Sequence, residues 1–232
     1  MRETFEDLPH AHRTPRLRIL TGFLSLLAAV TIAIALGAQI IDLVRLERFS
    51  AFEFLSYFSI QFAFISFVGL LVTGLSGFNG QRDTPRVASV RSFLALNALS
   101  VIITHSTLFS QTSANASGNM TALVWPDIVL HIIIPGYLVL DWMLNPLRAR
   151  IPRWVPFVSL LYPAVWIAGT YMVGRVTGWY VNPLLDPASG VSPALTAVYL
   201  GVIGVTLVMM ALAVLMVNRI HYRLVPGNLF DS

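Results

Sequence analysis

The stretch ILTGFLSLLAAVTIAIALGAQII, Ile19 to Ile41, carries no charged side chain along its whole length. About 20 apolar residues rising 1.5 Å each cross the roughly 30 Å hydrocarbon core of a bilayer, so this segment predicts a transmembrane helix. Arg16 and Arg18 precede it, and the small residues Ala35, Gly37 and Ala38 lie near its end, as in a secretory signal. Its apolar run exceeds the roughly 7–15 residues of a signal-peptide core. A retained first helix is therefore expected.

Five more segments of the same kind follow outward from it. The spans are expected at about Phe54–Leu75, Ser92–Phe109, Asp127–Leu144, Trp154–Val173 and Leu195–Val217, with Pro126 suiting the start of the fourth. The composition agrees. Of 232 residues 56% are hydrophobic and only 11% charged, with a mean hydropathy of +0.74. A soluble domain carries about 25% charged residues, which argues against a soluble globular domain, a disordered chain or a nucleic-acid-binding arm. The expected fold is an all-α membrane protein, a bundle of six transmembrane helices. Its parts are an N-terminal segment (residues 1–18), the helical domain (19–217) and a C-terminal tail (218–232). No internal repeat or low-complexity tract interrupts it.

Every basic residue is Arg, fifteen in all. The resulting pI near 9.8 invites a nucleic-acid reading, but no basic patch interleaved with aromatics supports one. Loop charge is the simpler source. With six spans, twelve Arg residues fall on one side, among them Arg18, Arg82, Arg91, Arg150 and Arg223; only Arg45, Arg48 and Arg175 fall on the other. Arg gathers in cytoplasmic loops, so both termini are expected in the cytoplasm, and a bacterial plasma membrane is the expected location. There is no Cys, which excludes disulfides, thiolate metal sites and Cys nucleophiles.

Ionisable side chains inside a membrane are costly and mark functional sites by default. Here they are His105, Asp127, His131 and Asp141. His131 falls about one turn below the outer surface, with Ser56 and Ser59 of the second span at similar depth and His105 near the end of the third. Asp127 lies one turn before His131, on the same helix face. A hydroxyl needs a neighbouring imidazole to take its proton, and an acid at Asp127 would orient that imidazole. The plainer reading is that Ser in a membrane helix bonds its own backbone or a neighbouring helix and that His105 bridges helices. A metal site built from His105, Asp127, His131 and Glu53 is chemically allowed, although no HxxH or HxxxH spacing calls for it. Asp141 stands roughly 15 Å deeper than His131, beside Trp142, and is expected to pair with a loop Arg.

Two motifs are set aside. Gly74-Leu75-Ser76-Gly77 has the GxSG form of a rhomboid nucleophile, but before Asn79-Gly80 it reads as a helix stop with flexible glycines. Asn115-Ala116-Ser117 and Asn119-Met120-Thr121 match the glycosylation sequon, which matters only in a eukaryotic secretory pathway. In the fifth span, Pro163 after Tyr162 is expected to kink the helix. The exit Gly178-Trp179-Tyr180-Val181-Asn182-Pro183-Leu184-Leu185-Asp186 reads as an aromatic belt with a turn, or as a cap over the outer layer.

These pieces together resemble the androgen-induced protein family, which includes the androgen-dependent regulator of tissue factor pathway inhibitor. Phe54-Leu55-Ser56-Tyr57-Phe58-Ser59-Ile60-Gln61 is similar to the family's aromatic stretch around a Thr. Asp127, His131, Pro135 and Asp141 are similar to its polar residue, His, Pro and acid, and Gly178-Trp179-Tyr180 with Pro183-Leu184-Leu185-Asp186 to its Gly-Trp-Tyr and Pro-Phe-Leu ending. Animal members hydrolyse fatty acid esters of hydroxy fatty acids with a membrane-embedded Thr and a His. The resemblance implies a lipid-ester hydrolase in which His131 is the base, Ser59 or Ser56 the nucleophile and Asp127 an orienting group. His105, Tyr162, Trp179 and Tyr180 would line the substrate pocket, and no cofactor or metal is implied. The sequence departs from the family in having Ser for Thr, and Phe62 and Ala63 where bacterial relatives often carry an Asn. The alternative is a non-enzymatic lipid- or heme-binding protein or a small transporter. The expected partner is a membrane lipid or lipid ester, and nucleic acid is not expected.

Overall fold

The computed structural model describes residues 14–78, 83–109, 123–145, 149–182, 185–188 and 190–224. Every long element among them is a helix: α1 (Thr14–Arg45), α2 (Ala51–Ser56), α3 (Phe58–Gly77), α4 (Pro85–Phe109), α5 (Val124–Ile128), a π turn (Val129–Ile133), α6 (Ile134–Leu144), α7 (Val155–Ser159), α8 (Leu161–Thr177) and α9 (Pro193–Leu224). Six spans are long and apolar enough to cross a membrane, formed by α1, α3, α4, α5 to α6, α7 to α8, and α9. The sequons, Pro183 and Leu184 lie outside the described residues.

Helices run past the expected apolar ends and through charged residues, Asp42 and Arg45 in α1 and Arg86 and Arg91 in α4. α1 starts at Thr14 and closes with the Arg48 N–H on the Leu43 carbonyl and the Glu47 N–H on that of Val44. These bonds form a Schellman closure around Glu47, whose φ is +55°. Two spans are broken rather than continuous. Tyr57 takes an extended conformation and separates α2 from α3. The fifth span breaks at Leu160, three residues before the expected kink at Pro163. Pro163 has no N–H to give the Ser159 carbonyl and its ring crowds that oxygen, so the interruption falls in the preceding turn.

The core is built on α1, α3, α4 and α6, with Ile32, Ile60, Leu70, Leu94 and Leu138 buried together. α1 and α3 cross with almost no space between their backbones. A Cβ on Gly77 would stand 2.6 Å from the Gly22 Cα, and one on Gly22 would stand 2.8 Å from the Gly74 carbonyl oxygen. This revises the reading of Gly74-Leu75-Ser76-Gly77: the helix does stop there, but its glycines are packing surfaces, not flexible joints. Close approach through small residues drives helix association where lipid removes the hydrophobic gain. Ser76 donates to the Val72 carbonyl of its own helix. α9 packs mainly on α4 and α7, and most of its surface faces outward.

Near the ends of α1 and α3 that carry Arg18 and Gly77, a buried ionic cluster ties four elements together. Arg18 pairs with Asp83, and Arg91 pairs with Asp141 and stands 3.2 Å from Asp83. Asn145 donates to Asp83 at 2.8 Å. Asp141 does pair with an Arg, as expected. That Arg lies within α4 and is 2% exposed, because α4 begins at Pro85 rather than near Ser92. Arg18 and Arg91 are thus internal counter-charges and not loop charges.

Candidate functional site

Pro135 shapes the backbone on which the site is built. It cannot donate to the His131 carbonyl, four residues back, and the turn before it widens to i→i+5 bonding, with the Ile134 N–H on the Val129 carbonyl. Such π turns recur at functional sites. His131 sits within this one, and Asp127 lies one turn earlier in α5.

The His131 Nδ1 lies 2.9 Å from Asp127 Oδ1 and 3.0 Å from the Asp127 main-chain oxygen. The second carboxylate oxygen faces His105, with Oδ2 3.9 Å from Nε2. The two imidazoles stack, centroids 4.5 Å apart and planes 20° from parallel. One carboxylate therefore serves two rings. His131 is buried, while the Asp127 side chain is 26% exposed, so the group lies just inside the end of the bundle. When Nδ1 donates to Asp127, the proton is fixed there and the lone pair is left on Nε2, the state of a proton acceptor. The same three side chains offer ligand atoms within 4.8 Å of one another, enough to hold a metal ion. Glu53 is not among them. It lies exposed in α2, where its N–H caps onto Ser50.

The two candidate nucleophiles differ. The Ser56 hydroxyl donates to the Phe52 carbonyl at 2.7 Å, and its own carbonyl accepts the Trp166 indole N–H at 2.9 Å. Ser56 thus closes α2. Ser59 is half-buried in the first turn of α3, and α3 packs against the π turn that carries His131. Among the described residues no hydrogen bond links either hydroxyl to His131. The expected single layer resolves into a tight His105–Asp127–His131 cluster, with Ser59 on a neighbouring helix.

The aromatic residues assemble elsewhere. Tyr162 stacks on Phe58 at 5.0 Å, its hydroxyl donating to the Phe58 carbonyl, and Trp166 meets Phe58 edge-on. Trp179 lies against Phe52 at 5.8 Å. Tyr180 folds back on α8, where a Cβ at Gly174 would collide with its ring. These rings wrap the start of α3 and hold the chain after Gly178, whose φ of +74° ends α8. Tyr162 and Trp179 lie over the segment that carries Ser56 and Ser59.

Two features escaped the sequence reading. Gln39, in α1, is fully buried, and neither amide atom has a hydrogen-bond partner among the described residues. Its signal was a lone amide in an otherwise apolar run. Asp83 escaped because it stands in a loop next to Arg82, where a solvated charge is the natural reading. A cavity of about 680 Å³ opens between α3, α4 and α7, lined by Phe64, Val68, Phe93 and Val158. Its lining carries no ionisable group and lies toward the Arg18 end of the bundle. Comparison with protein families, characterised proteins and solved structures finds no match to this chain.

Proposed function

We propose that this protein is a membrane-embedded hydrolase of lipid esters, with His131 as general base, Asp127 as its orienting group and Ser59 as nucleophile. The observation that carries the reading is the setting of His131 Nδ1, 3.0 Å from the Asp127 main-chain oxygen and 2.9 Å from its Oδ1; with the proton on Nδ1, Nε2 is left to accept one. The motif resemblance of the second, fourth and fifth spans supports it. Ser59 is chosen over Ser56 because the Ser56 hydroxyl is committed to Phe52, whereas Ser59 lies on the helix that packs against the π turn. Catalytic hydrogen bonds are often long before substrate binds and tighten in the complex.

In this reaction Ser59 gives its proton to His131 as its oxygen attacks the ester carbonyl. The alcohol leaves with that proton, and water, deprotonated by the same imidazole, releases the acid and restores Ser59. With Arg18 and Arg91 set aside as internal, the remaining Arg residues still divide ten to three, which supports a reading with both termini in the cytoplasm and the imidazole cluster near the outer surface of a bacterial plasma membrane. A lipid entering sideways would hold its ester near that depth. The stacked rings of His105 and His131 do not favour a heme between them, since stacking turns their faces, not their nitrogens, toward each other.

Fluorophosphonate labelling of the detergent-solubilised chain tests the reading. Labelling is expected in the wild type and in Ser56→Ala, and lost in Ser59→Ala and His131→Ala. Equal labelling of all four would overturn it.

A further inference from the structure

We infer that His105, Asp127 and His131 bind one divalent transition metal of the zinc type, a site that rests on the same His–Asp pair read above as the catalytic base. Two imidazoles and one carboxylate are the donor set of zinc, cobalt and their neighbours, not of calcium or magnesium, which prefer oxygen alone. The spacing fits. With metal–ligand bonds of about 2.1 Å, a tetrahedral site has ligand-to-ligand edges of about 3.4 Å. The two edges at Asp127 are 2.9 Å to His131 Nδ1 and 3.9 Å to His105 Nε2, on either side of that value. Closing the site takes a shift of about half an ångström in each edge and a turn of the His105 ring out of its stack on His131, so that both nitrogens aim at the ion.

The scaffold suits a bound ion. Asp127 and His131 are fixed to each other by one helical turn, and His105 arrives from α4. Partial exposure of Asp127 gives an ion a way in from the end of the bundle and leaves room for water as the remaining ligand. Gln39 adds an independent observation. From the Ser25–Tyr137 hydrogen bond, it stands about 21 Å further along α1, and Asp127 about 15 Å further along the facing helix. The two are within about 6 Å of one height, and α1 packs on both α5 and the π turn. A fully buried amide with no hydrogen-bond partner among the described residues thus lies near the level of the cluster, on a helix packed against the elements that carry Asp127 and His131, where a bound ion's water would give it a partner.

Binding replaces the His131 Nδ1 proton with the metal and moves the remaining ring proton to Nε2. The lone pair that would take the serine proton is then lost, so a bound metal silences the hydroxyl route. Metal binding and hydrolysis are therefore opposed, and each can be read without the other.

The test uses the full chain in detergent, stripped with a chelator and titrated with Co²⁺ and then Zn²⁺. One equivalent of Co²⁺ should bind, with the visible absorption of a nitrogen- and oxygen-ligated ion, and Zn²⁺ should displace it and raise Tm. His105→Ala and Asp127→Asn should lose both responses, and Gln39→Leu should weaken binding by about 10–100-fold, as outer-shell losses do. Zn²⁺ should also suppress fluorophosphonate labelling of the wild type. No stoichiometric uptake by the folded wild type, or uptake unchanged in His105→Ala and Asp127→Asn, overturns the site. Metal uptake without labelling removes only the hydrolase reading, and labelling without metal uptake removes only the metal site.

Discussion

His131 Nδ1 stands 2.9 Å from Asp127 Oδ1, one turn away in the same span. The ring hydrogen-bonds the Asp127 main-chain oxygen at 3.0 Å, and the carboxylate beside it is placed to stabilise the imidazolium that forms when the base takes a proton. Asp127→Asn keeps the shape but offers a neutral amide, so ester hydrolysis should fall with little change in Tm. His131→Ala should reduce kcat by roughly 10²–10⁴-fold, the usual contribution of a positioned base. A hydrolysis assay with a long-chain fatty ester in micelles reads both. Wild-type rates in His131→Ala would end its assignment as the base.

The serines should separate in one experiment. Ser59→Thr retains a hydroxyl at the same position and should keep measurable hydrolysis, whereas Ser59→Ala should abolish it. Ser56→Ala removes only a bond from Ser56 to its own helix and should leave the rate near wild type. The reverse order would transfer the nucleophile to Ser56.

Gly77 and Gly37 make a matched pair for the packing of α1 on α3. A Cβ at Gly77 meets the Gly22 Cα at 2.6 Å, while one at Gly37 meets nothing within 4 Å. Gly77→Ala should therefore destabilise by about 1–3 kcal/mol, as overpacking does. Gly37→Ala should be neutral or stabilising by up to about 1 kcal/mol, through helix propensity. Thermal unfolding in one detergent compares them directly.

Asp83 is the centre of the buried ionic cluster, facing Arg18, Arg91 and Asn145. Removing one partner of a buried pair costs about 3–5 kcal/mol because the other charge stays behind. Asp83→Ala strands Arg18, whose ion pair is with Asp83, and leaves Arg91 only Asp141, so it should destabilise more than Asp141→Asn, which leaves both guanidinium groups beside Asp83. Chemical denaturation of the two variants should show that order, and equal stability would rule the cluster out as a structural tie.

Much of this architecture follows from the chain read alone. The charge-free run Ile19–Ile41 and its five successors determine six membrane-length helices, since an apolar segment in lipid must satisfy its backbone within itself. Scarcity of charge likewise singles out His105, Asp127, His131 and Asp141, and i,i+4 spacing places Asp127 on the His131 face. What the sequence could not decide depends on partners distant along the chain. Arg91 reads as a loop charge until Asp141, 50 residues on, is found to neutralise it inside the bundle. Gly74 and Gly77 read as a flexible stop until Gly22 is seen against them. His105 and His131 lie on different spans, and only the packing of α4 on the π turn stacks their rings and gives Asp127 two imidazoles to serve. Periodicity and composition are local properties, whereas ion pairing, backbone approach and ligand clustering are set by helix contacts across the bundle.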